Sequence, residues 1–291
     1  MAIFTQTCLK IRCEMKRELL LSLFFVVSII MITSCGNETT EEANAEEPKE
    51  VLSEEVAVTD EGFDFFLPSS IQIAHILKKS GVIYQDGLTN DPEKYSQYET
   101  RTKRMLNLGI YTGDLAYCVL NNDNEAGLKY VAALKKLANE LDLAEVYQTS
   151  ETLDEMEATM NNHDSLITFI ISTQEKLNDY AHTNHQLSLL LETFTGAWIE
   201  TMYIGANAEN KHPEYIHKRL AEQMGILDNL ISGLEMSESN NEELMNIISQ
   251  LIDFKDSMPE YQEDFNTQLT PEEFDILKQK ISSIRNNITN S

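Results

Sequence analysis

Four acidic residues and two histidines occur in the order that a di-metal carboxylate site in a helical bundle requires. Such a site takes one carboxylate from each of two helices, and an acid-x-x-His pair from each of the other two. The residues that match this order are Asp114, Asp179 with His182, Glu200, and Glu214 with His217. Residue types and their order therefore permit a site for two metal ions.

Helix geometry argues against this metal site. The turn after His182 lies near residue 185, so Glu200 follows about 15 residues later, or about 22 Å along the next helix. In an antiparallel pair of helices, His182 and Glu200 would then lie far apart. Glu214 and Glu200 also differ in height by about two turns. We therefore expect no metal site and no cofactor, with the histidines at polar helix ends.

Asp114 and Glu200 are notable because each lies in an apolar segment and is followed three residues later by a tyrosine. A buried carboxylate must be hydrogen-bonded or protonated. Two interpretations stay open: acids that fix the register of the helices, and acids that bind a ligand. In the second case, a pocket between the central helices would be lined by Tyr111, Asp114, Tyr117, Trp198, Glu200 and Tyr203.

Other catalytic patterns are missing from the sequence. It contains no Gly-x-Ser-x-Gly elbow, no Walker-type phosphate loop and no His-Glu-x-x-His. Cys118 lies among apolar residues, where a thiol is usually inert. The sequence therefore predicts no catalytic residue.

Helical periodicity dominates the sequence from Pro68 onward. The clearest segment begins with a capping box at Thr270 and Glu273, and an apolar stripe at helical spacing follows it. A second capping box is expected at Ser239 and Glu242. The predicted helices lie at about 69–79, 105–120, 124–141, 151–161, 164–180, 186–206, 213–234, 239–251 and 271–288. The fold class is therefore all-α, an antiparallel bundle of eight or nine helices.

Two of these segments, 105–120 and 186–206, are apolar on nearly every side, so we expect them at the centre of the domain. Each contains interior glycines, which cost up to about 1 kcal/mol relative to alanine. Close approach of a neighbouring helix would compensate for that cost. We expect the two helices to pack on each other, with Asp114 and Glu200 buried and hydrogen-bonded to nearby tyrosine hydroxyls.

The N-terminal segment is typical of a secretory signal. Lys16 and Arg17 precede an apolar run from 19 to 32, which is short for a membrane-spanning helix. The run ends in Ile32-Thr33-Ser34-Cys35, which resembles the lipobox of bacterial lipoproteins. That resemblance implies cleavage before Cys35 and acylation of its thiol and amino group. Several acyl chains would anchor the protein stably in a membrane.

The predicted organisation has three parts. Residues 1–34 are an upstream extension and a signal peptide, in which Met15 is the expected start although Met1 stays open. Residues 35–64 are the lipidated cysteine and an acidic disordered tether. Residues 65–291 are the helical domain. The start of the tether resembles export tracts of surface-exposed lipoproteins, and an ordinary solvated spacer explains it equally well.

Charge restricts the possible partners. The chain carries 22 basic and 48 acidic residues, a formal net charge of −26. Binding to nucleic acid depends on lysine and arginine that neutralise phosphates, so no nucleic-acid partner is expected. The expected partners are the membrane, through the lipid anchor, and an envelope protein or a small ligand.

Three stretches resemble a family of uncharacterised helical lipoproteins from Gram-negative bacteria. They are Leu106–Tyr117, Asn162–Ile167 and Gly196–Tyr203. The resemblance covers roughly residues 65–290 and implies an all-helical fold in the cell envelope, most simply at the outer membrane on its periplasmic or external face. It implies no activity.

Three functional hypotheses follow from these observations. The favoured one is a membrane-anchored envelope lipoprotein that acts as a non-enzymatic binding or interaction module. The second is a small-molecule binding protein with a pocket at Asp114 and Glu200. The third is a metal-dependent enzyme built on the histidines.

Overall fold

The structure is a computed structural model that describes residues 56–60, 63–67, 69–148, 163–237, 241–259 and 268–290. These residues belong to one compact unit, Lys49–Ser291. The predicted all-α fold is confirmed, since the described part of the domain is a helical bundle. Its α-helices are α1 Ser70–Lys79, α2 Arg101–Leu120, α3 Asn124–Glu140, α4 His163–Thr183, α5 Leu187–Asn207, α6 Pro213–Met236, α7 Glu242–Asp256 and α8 Pro271–Thr289.

The helices begin where capping residues satisfy the free N–H groups of the first turn. At α8, the Glu273 N–H donates to the Thr270 hydroxyl at 3.2 Å, and the Thr270 N–H donates to the Glu273 carboxylate at 2.7 Å. This is the predicted capping box. Ser69 and Gln72 form a second capping box at α1. These local signals explain why several predicted helix starts are confirmed.

The predicted capping box at Ser239 is wrong. The N-cap of α7 is Asn241, whose side chain accepts from the N–H groups of Glu243 and Leu244. Asn is as good an N-cap as Ser, and it lies directly before the first helical residue, Glu242. The helix predicted at 151–161 lies outside the described residues.

Helices α2 and α5 form the centre of the domain, as predicted, and they run in the same direction. The contacts along the pair advance together: Gly109 faces Thr193, and Gly113, one turn later, faces Glu200. Helix α8 lies against both and runs antiparallel to them. The Asn107 side chain, early in α2, donates to the carbonyl oxygen of Ile288, near the end of α8. Helix α8 is therefore antiparallel to both central helices, as predicted for the bundle. The central helices α2 and α5 are parallel to each other, which is possible because other helices separate them in the chain.

The acidic tether predicted for residues 35–64 extends too far. The structure has an antiparallel hairpin there, with strands β1 Val56–Asp60 and β2 Phe63–Leu67. Both strands are rich in valine or phenylalanine, residue types that favour extended backbone. The acidic residues around them suggested an unstructured spacer, and this local β preference was missed. Residues 35–55 lie outside the described residues.

Candidate functional site

The two central helices touch backbone to backbone at two glycines. A Cβ atom at Gly109 would lie 1.8 Å from the carbonyl oxygen of Thr193, and one at Gly196 would lie 1.9 Å from that of Leu106. No side chain fits at such distances. The glycines therefore permit the close approach that the sequence predicted, and this contact offsets their cost in a helix.

Glu200 faces Gly113, one turn further along the same seam. A Cβ atom at Gly113 would lie 3.2 Å from Cβ of Glu200. Asp114, the next residue in α2, and Glu200 are both fully buried. The seam therefore brings two carboxyl groups together away from solvent, which confirms the predicted burial of both acids. Each must find donors inside the protein.

Arg285 from α8 neutralises Glu200. Its Nε donates to Oε2 of Glu200 at 2.7 Å, and its Nη2 donates to Oε1 at 2.9 Å. This forked geometry is the strongest common pairing between a guanidinium and a carboxylate. The guanidinium also lies 4.2 Å from the centre of the Tyr203 ring. Burial alone would lower the pKa of Arg285, but the pairing with Glu200 outweighs it and raises that pKa.

The surroundings of Asp114 favour its protonated form. Burial raises the pKa of its carboxyl well above the usual range, and the neighbouring Glu200 carboxylate raises it further. Arg285 and the Asn90 N–H, which donates to Oδ2 at 3.2 Å, oppose this shift without reversing it. When Asp114 carries its proton, Glu200 and Arg285 remain as one pair of opposite charges. We call Asp114, Glu200 and Arg285 the acid cluster.

A loop that includes Asn90 closes the cluster on its other side. The Asn90 side chain donates to the Tyr98 hydroxyl at 2.8 Å. The backbone carbonyl oxygen of Asn90 accepts from the Tyr130 hydroxyl at 2.7 Å. The Tyr111 hydroxyl donates to the carbonyl oxygen of Asp91 at 2.9 Å. Burial raises the pKa of each of these three tyrosines. They therefore act as neutral hydrogen-bonding groups that hold the loop over Asp114.

The six residues predicted to line a pocket contact different parts of the domain. Asp114 and Glu200 meet, and Tyr203 joins them through Arg285. Tyr111 lies in α2, and its hydroxyl bonds to the loop that includes Asn90. The Tyr117 hydroxyl contacts the backbone of Ile83 and Gln85. The Trp198 ring packs against Phe254 at 6.4 Å between centres.

A gap of about 10 Å³ lies next to Gly113, Tyr117 and Thr201, and one water molecule needs about as much. Neither Asp114 nor Glu200 lines this gap, and the pocket expected at the two acids stays a prediction. The prediction that tyrosine hydroxyls satisfy the two acids is wrong, because Arg285 donates to Glu200 and the Asn90 N–H donates to Oδ2 of Asp114. No group of the described residues donates to Oδ1 of Asp114.

Sequence reasoning missed both of these partners. Arg285 lies four residues after Ile281 and three before Ile288, so it shares the buried face of α8. A charged residue inside an apolar stripe was a usable signal for a buried ion pair. Asn90 had no such signal, since it lies in a loop and acts through its backbone N–H.

The described residues contain no group of three or more histidine, cysteine or acidic side chains that could hold a metal. His217 stacks on Phe274 with ring centres 4.2 Å apart, and one of its nitrogens lies 3.1 Å from the carbonyl oxygen of Leu269. His212 lies beside Glu214. His182, the other histidine of the expected metal pairs, lies in the last turn of α4.

No family model, no curated protein and no solved structure matches this chain. Within the described ranges, no helix is long and apolar enough to cross a membrane. Arguments about function therefore depend on the residues and contacts of this chain alone.

Proposed function

We propose that this protein is a membrane-anchored lipoprotein of the cell envelope whose helical domain acts as a non-enzymatic binding module. One observation carries the anchoring: a basic pair, an apolar run and Ile32-Thr33-Ser34-Cys35 follow one another in the order of a lipoprotein signal. Acylation of Cys35 would anchor the helical domain, which begins more than 30 residues later, at α1 (Ser70–Lys79).

The acid cluster supports a binding role rather than chemistry at the central helices. A general acid or base must reach its substrate within hydrogen-bond distance. Asp114 and Glu200 are fully buried, and Arg285 and Asn90 donate to both oxygens of Glu200 and to Oδ2 of Asp114. The two acids thus serve to join α2, α5, α8 and the Asn90 loop. The predicted ligand pocket at these acids is not part of the proposal.

The charge of the chain supports partners other than nucleic acid or an anionic surface. The 48 acidic residues exceed the 22 basic ones, which would repel phosphates. An envelope protein or an uncharged small ligand fits this composition. Placement at the outer membrane remains part of the proposal.

Replacement of Cys35 tests the anchor. Cys35→Ala should leave the protein unprocessed or release it from membranes, because acylation of Cys35 provides the attachment. Membrane fractionation and intact-mass measurement would show the loss of cleavage and of the acyl chains. The matched control is Cys118→Ala, which removes a buried thiol within α2 and should leave processing unchanged. Normal processing and membrane retention of Cys35→Ala would contradict the proposal.

A further inference from the structure

A cavity lies between α4 and the central helices, and no residue of the acid cluster lines it. It has a volume of about 50 Å³ and is bounded by side chains from α1 to α5 and by Tyr147. Its walls include Leu115, Leu134, Phe169, Ile170, Leu177 and Phe194. None of the residues that the sequence analysis proposed for a pocket lines it.

The lining of this cavity is uncharged. All the described side chains around it are apolar, hydroxyl-bearing or amide-bearing, although the chain as a whole carries a net charge of −26. An ion would lose its hydration here without gaining a counter-charge, which is costly. The chemistry of the walls therefore selects a neutral, apolar group.

Polar atoms are confined to a few positions. Thr112 and Gln174 are the partly exposed residues of the lining, whereas the rest are buried. The Thr112 hydroxyl already donates to the carbonyl oxygen of Leu108 at 2.8 Å. Gln174 therefore offers an amide that can bond to a polar end of a ligand near solvent. The buried part of the lining is mostly apolar, with hydroxyl groups at Ser70, Tyr147, Thr173 and Thr193.

The size of the cavity limits what can enter. A water molecule needs about 10–15 Å³, so the cavity has room for a few waters but few polar partners for them. An alkyl segment of about four carbon atoms occupies a comparable space and gains contacts with the leucine and phenylalanine walls. A longer molecule would extend past Gln174 toward solvent.

We propose that this cavity binds the alkyl end of a small neutral amphiphile, with its polar end at Thr112 and Gln174. The inference rests on the proposed function, since it names the ligand class of the binding module. It concerns a different site from the acid cluster, and it does not depend on the anchor at Cys35.

The test uses 1-hexanol and, as a matched probe, 1,6-hexanediol. The full chain in lipid nanodiscs is labelled with ¹³C at its isoleucine, leucine and valine methyl groups and titrated with each alcohol. We expect hexanol to shift the methyl signals of Ile170 and Leu177, while those of Ile248 and Ile281, which do not line the cavity, stay in place. The diol should bind at least about tenfold more weakly, because its second hydroxyl would lose its hydration among mostly apolar walls.

Two variants change the cavity in opposite directions. Thr173→Leu adds apolar volume inside it and should weaken hexanol binding by about tenfold or more. Leu177→Ala removes a wall side chain and should strengthen binding, as enlarged apolar cavities do. If Thr173→Leu does not fold, the expected gain with Leu177→Ala still decides the question.

Three results would overturn the proposal: no shift at the cavity methyls up to the solubility limit of hexanol, equal shifts at Ile248 and Ile281, or equal binding by wild type and Leu177→Ala. Failure of the anchor would appear separately, as normal processing and membrane retention of Cys35→Ala. The two proposals can thus fail independently.

Discussion

The two sides of the central helix α5 are packed in different ways. Toward α2, Gly196 touches the backbone of Leu106, and the next turns bury a paired carboxylate. Toward α4, Phe194 and Leu190 face a cavity of about 50 Å³. One side has no room for an added methyl group, whereas the other has unfilled space among side chains.

This difference separates architecture from binding. On the closed side of α5, which faces α2, two acids and an arginine, which are residue types common in active sites, join helices that are distant in the chain. The open side contains only ordinary apolar and hydroxyl residues, yet it has the space that a ligand needs. Residue types that suggest chemistry therefore mark the structural seam here, and the proposed binding site lies among residues that attract no attention in the sequence.

Removal of Arg285 should have the largest effect on the closed side. Arg285→Met leaves Glu200 buried without a counter-charge, which typically costs about 3–5 kcal/mol. Urea denaturation of the variant and of wild type would measure the lost free energy of unfolding. The double variant Glu200→Met, Arg285→Met is the control, and it should recover much of the loss because no charge is left unpaired. Additive losses would mean that the two residues do not act as a pair.

Substitution of Gly109 should have the next largest effect. Gly109→Ala places a methyl group on the Thr193 carbonyl, 1.8 Å away before relaxation. We expect a loss of about 2–3 kcal/mol, because helices α2 and α5 must separate. Gly127→Ala is the matched control, since its new Cβ would meet the end of the Leu166 side chain at 3.1 Å, which can move. An unchanged free energy of unfolding in Gly109→Ala would show that α2 and α5 do not pack as closely as these distances indicate.

Conversion of Asp114 to its neutral isostere should have the smallest effect near neutral pH. The pKa of Asp114 is raised in the folded state, so folding takes up a proton at this site and the stability it contributes falls as pH rises above the ordinary value of 3.8. Asp114→Asn removes this dependence, and its stability should decline less between about pH 5 and pH 8. Thermal unfolding over that range would measure the difference.

A second buried acid must be separated from this measurement. Burial raises the pKa of Glu192 to about 7, so it also weakens the fold as pH rises through this range. The comparison is therefore made in a Glu192→Gln background. Identical pH profiles with Asp114 and with Asn at position 114 would contradict a neutral Asp114.

Local sequence signals predicted the helices well because caps and apolar stripes act within a few residues. Thr270 with Glu273 fixed the start of α8, and the glycines at 109 and 196 indicated a close helix contact. The partners of the two acids could not be predicted in the same way. Glu200 and Arg285 are 85 residues apart, and Asn90 contributes a backbone group, so both contacts arise only from tertiary packing.

The apolar cavity lay beyond sequence reasoning for a related reason. The cavity is the volume that side chains from α1 to α5 leave unfilled when they pack. No local residue pattern predicts that volume. The hairpin at 56–67 was missed differently, since its valines and phenylalanines were read together with the acidic residues around them.

The most direct test of the acid cluster is the pH titration of the Asp114 carboxyl carbon by ¹³C NMR in the full chain. Asp114→Asn identifies the signal. The cluster predicts that this carbon keeps the chemical shift of a protonated carboxyl at neutral pH, because burial and Glu200 hold its pKa well above the usual range. A titration midpoint near the ordinary value of 3.8 would show that Asp114 is ionised, and would contradict the sealed, charge-balanced seam described here.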